Sequence, residues 1–175
     1  ISQIGFIFFG LAVGNEMAVA GGLLYILMHG IAKAGLFLCA GIIEQNTKTK
    51  DITKLGGLIT TMPVTAVSFL FCAFSVMGIP PFGGFVSKYM VFAGAVNGGQ
   101  IWIGFIFVLG AVMTILYLFR VFNLIFLGDA NISGAKEASP LMVASVAVLG
   151  VLSLAGGIFI WYPAKFALLG AWQML

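Results

Sequence analysis

Tyr25, His29 and Lys33 stand four residues apart in the run YILMHGIAKAGLF, residues 25–37, which is otherwise almost wholly apolar. On a helix each step of four advances about 6 Å along the axis and about 40° around it, so the three polar groups follow one stripe. A hydroxyl, an imidazole and an amine at that spacing suit a proton relay with waters bridging the gaps. Histidine is the side chain that ordinarily titrates near neutrality. A lysine at the centre of a membrane helix costs about 2.5–3.5 kcal/mol on insertion scales, so Lys33 is expected to point into the bundle, toward water or a partner. The plainer alternative is a snorkelling lysine beside a packed histidine.

A second group lies in SVMGIPPFGGFVSKYMVF, residues 75–92. Pro80 and Pro81 carry no amide hydrogen, and Gly78, Gly83 and Gly84 are weak helix formers, so the segment ends one helix and delays the next. It is either an ordinary turn between helices or a break within a membrane helix. Non-helical backbone at membrane depth is tolerated only where it is buried in protein or lines a wet cavity, and such breaks recur at ion sites of transporters. Lys88 follows the break, with the Ser87 hydroxyl beside it. Arg120 falls late in TILYLFRVFNLIF. Always charged, it cannot readily carry a proton, but it can anchor a helix end or hold a carboxylate.

These residues need a frame, and the composition says which kind. The chain has 175 residues, of which 62% are hydrophobic and 7% charged. A soluble domain has about 25% charged residues, so the chain reads as integral to a membrane, multi-pass, in a cell or inner membrane. Its net charge is +3, carried by scattered basic residues that form no nucleic-acid face. Its 24 glycines fit closely packed membrane helices. Cys39 and Cys72 lie in apolar runs and read as small buried hydrophobes. The first residue is Ile1, with an apolar segment starting at once, which suggests a piece of something longer.

A spanning helix needs about 20 mostly apolar residues. Sorting the chain that way predicts an all-α bundle of about six spans, one of them discontinuous. They run over about 1–14, 18–43, 58–77, 82–96 (short and interrupted), 102–127 and 141–162, followed by an apolar tail. The loops EQNTKTKDITK (44–54) and GDANISGAKEASP (128–140) hold most remaining charges, Glu137 among them, and read as solvated. Lys48, Lys50 and Lys54 would place the first of these loops in the cytoplasm. No CxxC, His/Cys cluster or glycine-rich phosphate loop is present, so no cofactor, metal or enzyme chemistry is expected of this chain itself.

The runs YILMHGIAKAGLFLCAG and TKDITKLGGLITTMPVTAVSFLFCAFSVMGIPPFGGFVSKYMVF together resemble the antiporter-like membrane subunits. Those subunits occur in respiratory complex I, membrane-bound hydrogenases and multisubunit sodium/proton antiporters. ISQIGFIFFGL and YLFRVFNLIFLGD fit as well. The resemblance covers most of the chain, weakest after about residue 130. It implies about fourteen helices built around two inverted five-helix repeats, each with a broken helix bearing a charged residue. Residues 1–127 then correspond to the second repeat, and 128–175 to a loop, a following helix and a tail, roughly helices nine to fourteen. Lys88 matches the lysine of the second broken helix, Lys33 a central-axis lysine and His29 its accompanying histidine. Some members have histidine where Tyr25 stands. The family topology would put loop 44–54 outside, against the charge count.

The resemblance implies a proton relay of His29, Lys33 and Lys88, with Tyr25, Ser87 and Arg120 as relay or support. The expected partners are the lipid bilayer, other membrane subunits, the first half of the module, and protons with sodium as the second candidate. The sparse mid-span carboxylates favour protons, since sodium prefers oxygen ligands. Two rival readings are a subunit that only braces its neighbours and a small channel using the break as a substrate site. The second would need more polar side chains in the spans than the sequence offers.

Overall fold

The computed structural model describes residues 2–129, 132 and 134–175. It is all-helical among those residues: α1 (Ser2–Ala12), α2 (Glu16–Thr47), α3 (Pro63–Met77), α4 (Gly83–Asn97), α5 (Ile101–Phe126), α6 (Pro140–Ile158) and α7 (Trp161–Met174), with a short 3-10 turn at Ile52–Lys54. α2, α5 and α6 are long and apolar enough to cross a membrane. Many large apolar side chains of α5, α6 and α7 are exposed, Trp102, Trp161 and Phe166 among them. That is a surface suited to lipid or protein and not to water.

α2 is the axis of the bundle. At 32 residues it is about 48 Å long, and it packs against α1, α3, α4, α6 and α7. Asn15 starts it: its side-chain oxygen accepts from the Ala18 amide at 2.9 Å, and its amide nitrogen donates to the Gly94 carbonyl at 2.7 Å. One residue therefore caps α2 and fastens it to the far end of α4. Apolar packing forms two clusters. One joins the second half of α2 to α3 and the end of α5, around Cys39, Met62, Phe69 and Phe126. The other joins α1 and the first half of α2 to α4, around Phe6, Tyr25, Met28 and Val91.

Two boundaries differ from the sequence reading. Residues 58–62 were expected to be helical, but α3 begins at Pro63. The amides of Gly57, Leu58 and Ile59 instead donate to the carbonyls of Leu127, Ile125 and Phe126, at 3.0, 3.4 and 3.1 Å. Carbonyls at a helix end have no partner of their own, so this segment is spent on finishing α5. The apolar tail is also a helix, α7, which packs against α2.

α3 and α4 are 15 residues each, about 22 Å, too short to cross about 30 Å of hydrocarbon separately. They are joined by residues 78–82. Gly78 ends α3 in the left-handed conformation (φ 80°), which costs glycine nothing. Gly84 opens α4 where a Cβ would fall on the Ser75 carbonyl oxygen, so only a glycine lets the two half-helices meet there.

Candidate functional site at the break between two half-helices

The chemistry of the break follows from the helix end at Gly78, which leaves the last carbonyls of α3 without amide partners, and from the prolines that follow it. In a continuous helix the Val76 carbonyl would accept from the amide of residue 80. That residue is Pro80, which has none to give. The Lys88 ammonium fills the vacancy: Nζ donates to Val76 O at 2.7 Å. In the other direction, the Gly84 amide, an orphan donor in the first turn of α4, donates to the Ser75 hydroxyl at 3.2 Å. The half-helices therefore satisfy each other's loose ends. Lys88 also places its charge beside the C-terminal carbonyls of α3, where a helix dipole favours a cation.

Lys88 is 5% exposed. Its Nζ lies 4.6 Å from the Phe6 ring centre and 5.4 Å from that of Tyr25, both within reach of cation–π attraction. The Tyr25 hydroxyl donates to Gln3 Oε1 at 2.6 Å and lies 3.4 Å from the same Val76 carbonyl. Gln3 Nε2 faces Thr114 Oγ1 at 3.0 Å, Tyr117 Oη at 3.2 Å and Ser2 Oγ at 3.4 Å. Lys88 is also among the residues lining a cleft of about 220 Å³ between α4 and α5.

The residues singled out from the sequence are only partly gathered here. Tyr25 and Lys88 meet at Val76. His29 is buried one turn along α2, with ring centres 5.6 Å from Tyr25, and its Nδ1 has no hydrogen-bond partner among the described residues. Lys33, expected to point into the bundle toward water or a partner, does not join this cluster. It is exposed on this chain, its Nζ 4.9 Å from the Phe37 ring centre. The physical reason is the drift of 40° per step of four, which reaches about 80° over eight residues and carries Lys33 off the buried face. Ser87 is fully buried and its hydroxyl turns back onto the Gly83 and Gly84 carbonyls, at 3.3 and 3.1 Å, a local bond within α4. Arg120 is exposed near the end of α5.

Several contributors escaped the sequence reading. The Val76 carbonyl could have been found by asking which acceptors Pro80 leaves unpaired. Ser75, Phe6, Gln3 and Thr114 carry no such signal, because each acts through a neighbouring helix. Glu137 was assigned to a solvated loop, and the structure corrects this. Its carboxylate accepts from the Val64 and Thr65 amides at 2.8 and 3.1 Å and from the Thr65 hydroxyl at 2.7 Å, capping the N-terminus of α3. Cys39 and Cys72 are buried free thiols. No group of three or more His, Cys, Asp or Glu side chains that could hold a metal occurs among the described residues.

A multi-pass, all-helical membrane chain with a lysine buried at a helix break is the class these features define. Residues 1–114 match the family described as NADH:quinone oxidoreductase/Mrp antiporter, TM, and the chain belongs to that family. It is 34% identical over 141 residues to NADH-quinone oxidoreductase subunit N of Desulforudis audaxviator, covering 81% of this chain and 28% of that protein. It is 35% identical over 159 residues to a Na(+)/H(+) antiporter subunit of Alkalihalophilus pseudofirmus, covering 86% and 32%. The Mrp complex from Dietzia sp. superposes with a TM-score of 0.88 at 28% identity, over 97% of this chain and 40% of that one. An archaeal membrane-bound sulfane sulfur reductase gives 0.84 at 26% identity, over 89% and 26%. The chain thus spans about a third of the length of these curated relatives.

Proposed function

We propose that this chain is the ion-translocating part of a membrane subunit, moving protons across the bilayer within a larger complex, and that Lys88 is its loading site. The observation that carries the reading is the Lys88 ammonium seated on the carbonyl that Pro80 leaves unpaired. A cation so held is stable while protonated. Once it gives up its proton the amine has less hold on the carbonyl and is free to move. His29, buried one turn from Tyr25 on α2, is the group with which Lys88 would exchange a proton. Lys33, on the exposed face of α2, continues the row toward whatever covers that face. Because the groups are close, a proton on one raises the cost of a proton on the next, and occupancy shifts along the row.

In this reading residues 1–127 form the second repeat of the family's module, and the covering element is its first half. Other membrane subunits are the remaining partners. Redox chemistry, where the parent complex has any, is carried by those subunits. Protons are favoured over sodium because the ligands around Lys88 are one carbonyl, two aromatic rings and a hydroxyl, too few oxygens for a sodium shell.

The test is proton uptake by membrane vesicles carrying the chain in its native assembly. Lys88→Ala is expected to abolish uptake, and Lys33→Ala to reduce it strongly. Uptake at the wild-type rate in Lys88→Ala would sink the assignment. One observation favours the second reading, a subunit that only braces its neighbours: the same short Lys88–Val76 bond could be static. In that case Lys88→Ala would reduce the amount of assembled complex but leave uptake per complex intact.

A further inference from the structure

The buried polar cluster on α1 and α5 has no part in the relay just described, yet it touches the relay at one atom. The Tyr25 hydroxyl has a single proton and two acceptors within reach, Gln3 Oε1 at 2.6 Å and Val76 O at 3.4 Å. Val76 O is the acceptor of Lys88. Whether the Tyr25 proton stays on Gln3 or turns to Val76 therefore depends on whether Lys88 occupies that carbonyl. Gln3 is buried, 5% exposed, and every polar atom of its carboxamide is engaged. Thr114 is fixed in turn, its hydroxyl donating to Gly110 O at 2.8 Å, which leaves its oxygen to accept from Gln3.

We propose that Gln3 is a positioning residue for the Lys88 site: its carboxamide, held by Thr114 and Tyr117, keeps the Tyr25 hydroxyl poised beside Val76 O, ready to take that carbonyl when Lys88 lets go. The carbonyl cannot go unpaired in a buried place without a penalty. Tyr25 supplies the replacement donor by sharing its one proton between Gln3 Oε1 and Val76 O, and so reduces, without cancelling, the cost of the state in which Lys88 has left. Gln3 makes that replacement available by holding the hydroxyl in reach instead of letting it find another partner. A carboxamide does not itself pass protons along. Its role is acceptor and anchor, tying α1, α2 and α5 to the break.

This inference rests on the transport reading above, and its test is arranged so that the two can fail separately. The same vesicles are used with Gln3→Leu, Tyr25→Phe and the double variant, each normalised to the amount of assembled complex. Each single change is expected to slow uptake about tenfold, the worth of one lost buried hydrogen bond. The double variant should be no slower than either single one, because Gln3 acts through Tyr25. Packing damage alone would instead make the two losses multiply.

The pH dependence of uptake should move in the same direction in both single variants. The titratable groups facing Lys88 and its Tyr25 neighbour are Tyr25 and His29 on α2, Tyr89 next to it on its own helix and, through Gln3, Tyr117 on α5; α1 and α3 offer Lys88 the Phe6 ring and the Val76 carbonyl. Multiplying losses, an unmoved pH profile, or wild-type uptake in Gln3→Leu each overturn the positioning role. Should Gln3→Leu fail to accumulate, Thr114→Val with Tyr25→Phe gives the same cycle, with the same outcomes deciding. Normal uptake in Lys88→Ala defeats the transport reading itself.

Discussion

The two ends of α3 are finished by opposite charges from opposite directions. At its start, Glu137 reaches across from the loop before α6 and caps two amides and a hydroxyl. At its end, Lys88 reaches back from α4 and takes one carbonyl. Both placements suit the helix dipole, negative at the N-terminus and positive at the C-terminus. The surroundings differ. Glu137 is half-buried, and three donors hold it. Lys88 is buried, with one strong partner, two rings and a hydroxyl waiting nearby. The first end is built to stay, while the second is held by a bond that protonation state can alter. A half-helix with one fixed end and one conditional end is the frame that the proposed transport reading requires.

The conditional end is the more sensitive of the two to substitution. Lys88→Met keeps the packing volume but leaves Val76 O dependent on Tyr25 alone. Uptake is expected to fall at least about a hundredfold with assembly retained, consistent with loss of an essential relay group and not of mere bulk. Next in size is Pro80→Ala, which restores an amide hydrogen able to compete for Val76 O. It should slow uptake about tenfold, and amide exchange should show a newly protected site at residue 80. An unprotected amide there would mean the break is not governed by the missing hydrogen.

At the fixed end, Glu137→Ala removes a cap and should cost about 1–2 kcal/mol of stability, read as a lower melting temperature of the assembled complex. Uptake per assembled complex should change little, which is what separates the two ends. The smallest effect is expected outside the membrane. Hydrogen bonds from the Thr53 hydroxyl and amide hold the exposed Asp51 carboxyl below its ordinary value, with Lys54 adding a little. A depressed carboxylate stabilises the fold above the ordinary carboxylate range and loses that contribution as pH falls through its own lowered value. Asp51→Asn should therefore ease proteolysis of the 48–55 loop slightly at neutral pH, with the difference fading in acid.

Much of this was legible in one sequence. Composition fixed the membrane class, Pro80 and Pro81 marked the break, and Lys88 stood out as a charge with no business in an apolar run. Val76 was within reach, since counting back four from a proline finds the orphaned carbonyl. Gln3, Phe6 and Thr114 were not. Each is ordinary in its own segment: Phe6 becomes an aromatic neighbour of Lys88, and Gln3 and Thr114 polar company for Tyr25, only when α1 and α5 pack beside the break, and helix pairing is not written in a local pattern. Lys33 shows how far one helix turns within a single motif. A stripe drawn over eight residues hides a turn of about 80°, enough to move a side chain from a buried face to an outer one.

The Gly57–Ile59 segment, spliced by three hydrogen bonds onto the end of α5, has a mechanical meaning as well. It is the lead-in to α3, only a few residues before Pro63. Any sliding of α5 along its axis must either tear those bonds or drag the lead-in with it. α3 is therefore leashed: α5 can pull on it from one end, while at the other end the pull arrives at the carbonyl that holds Lys88.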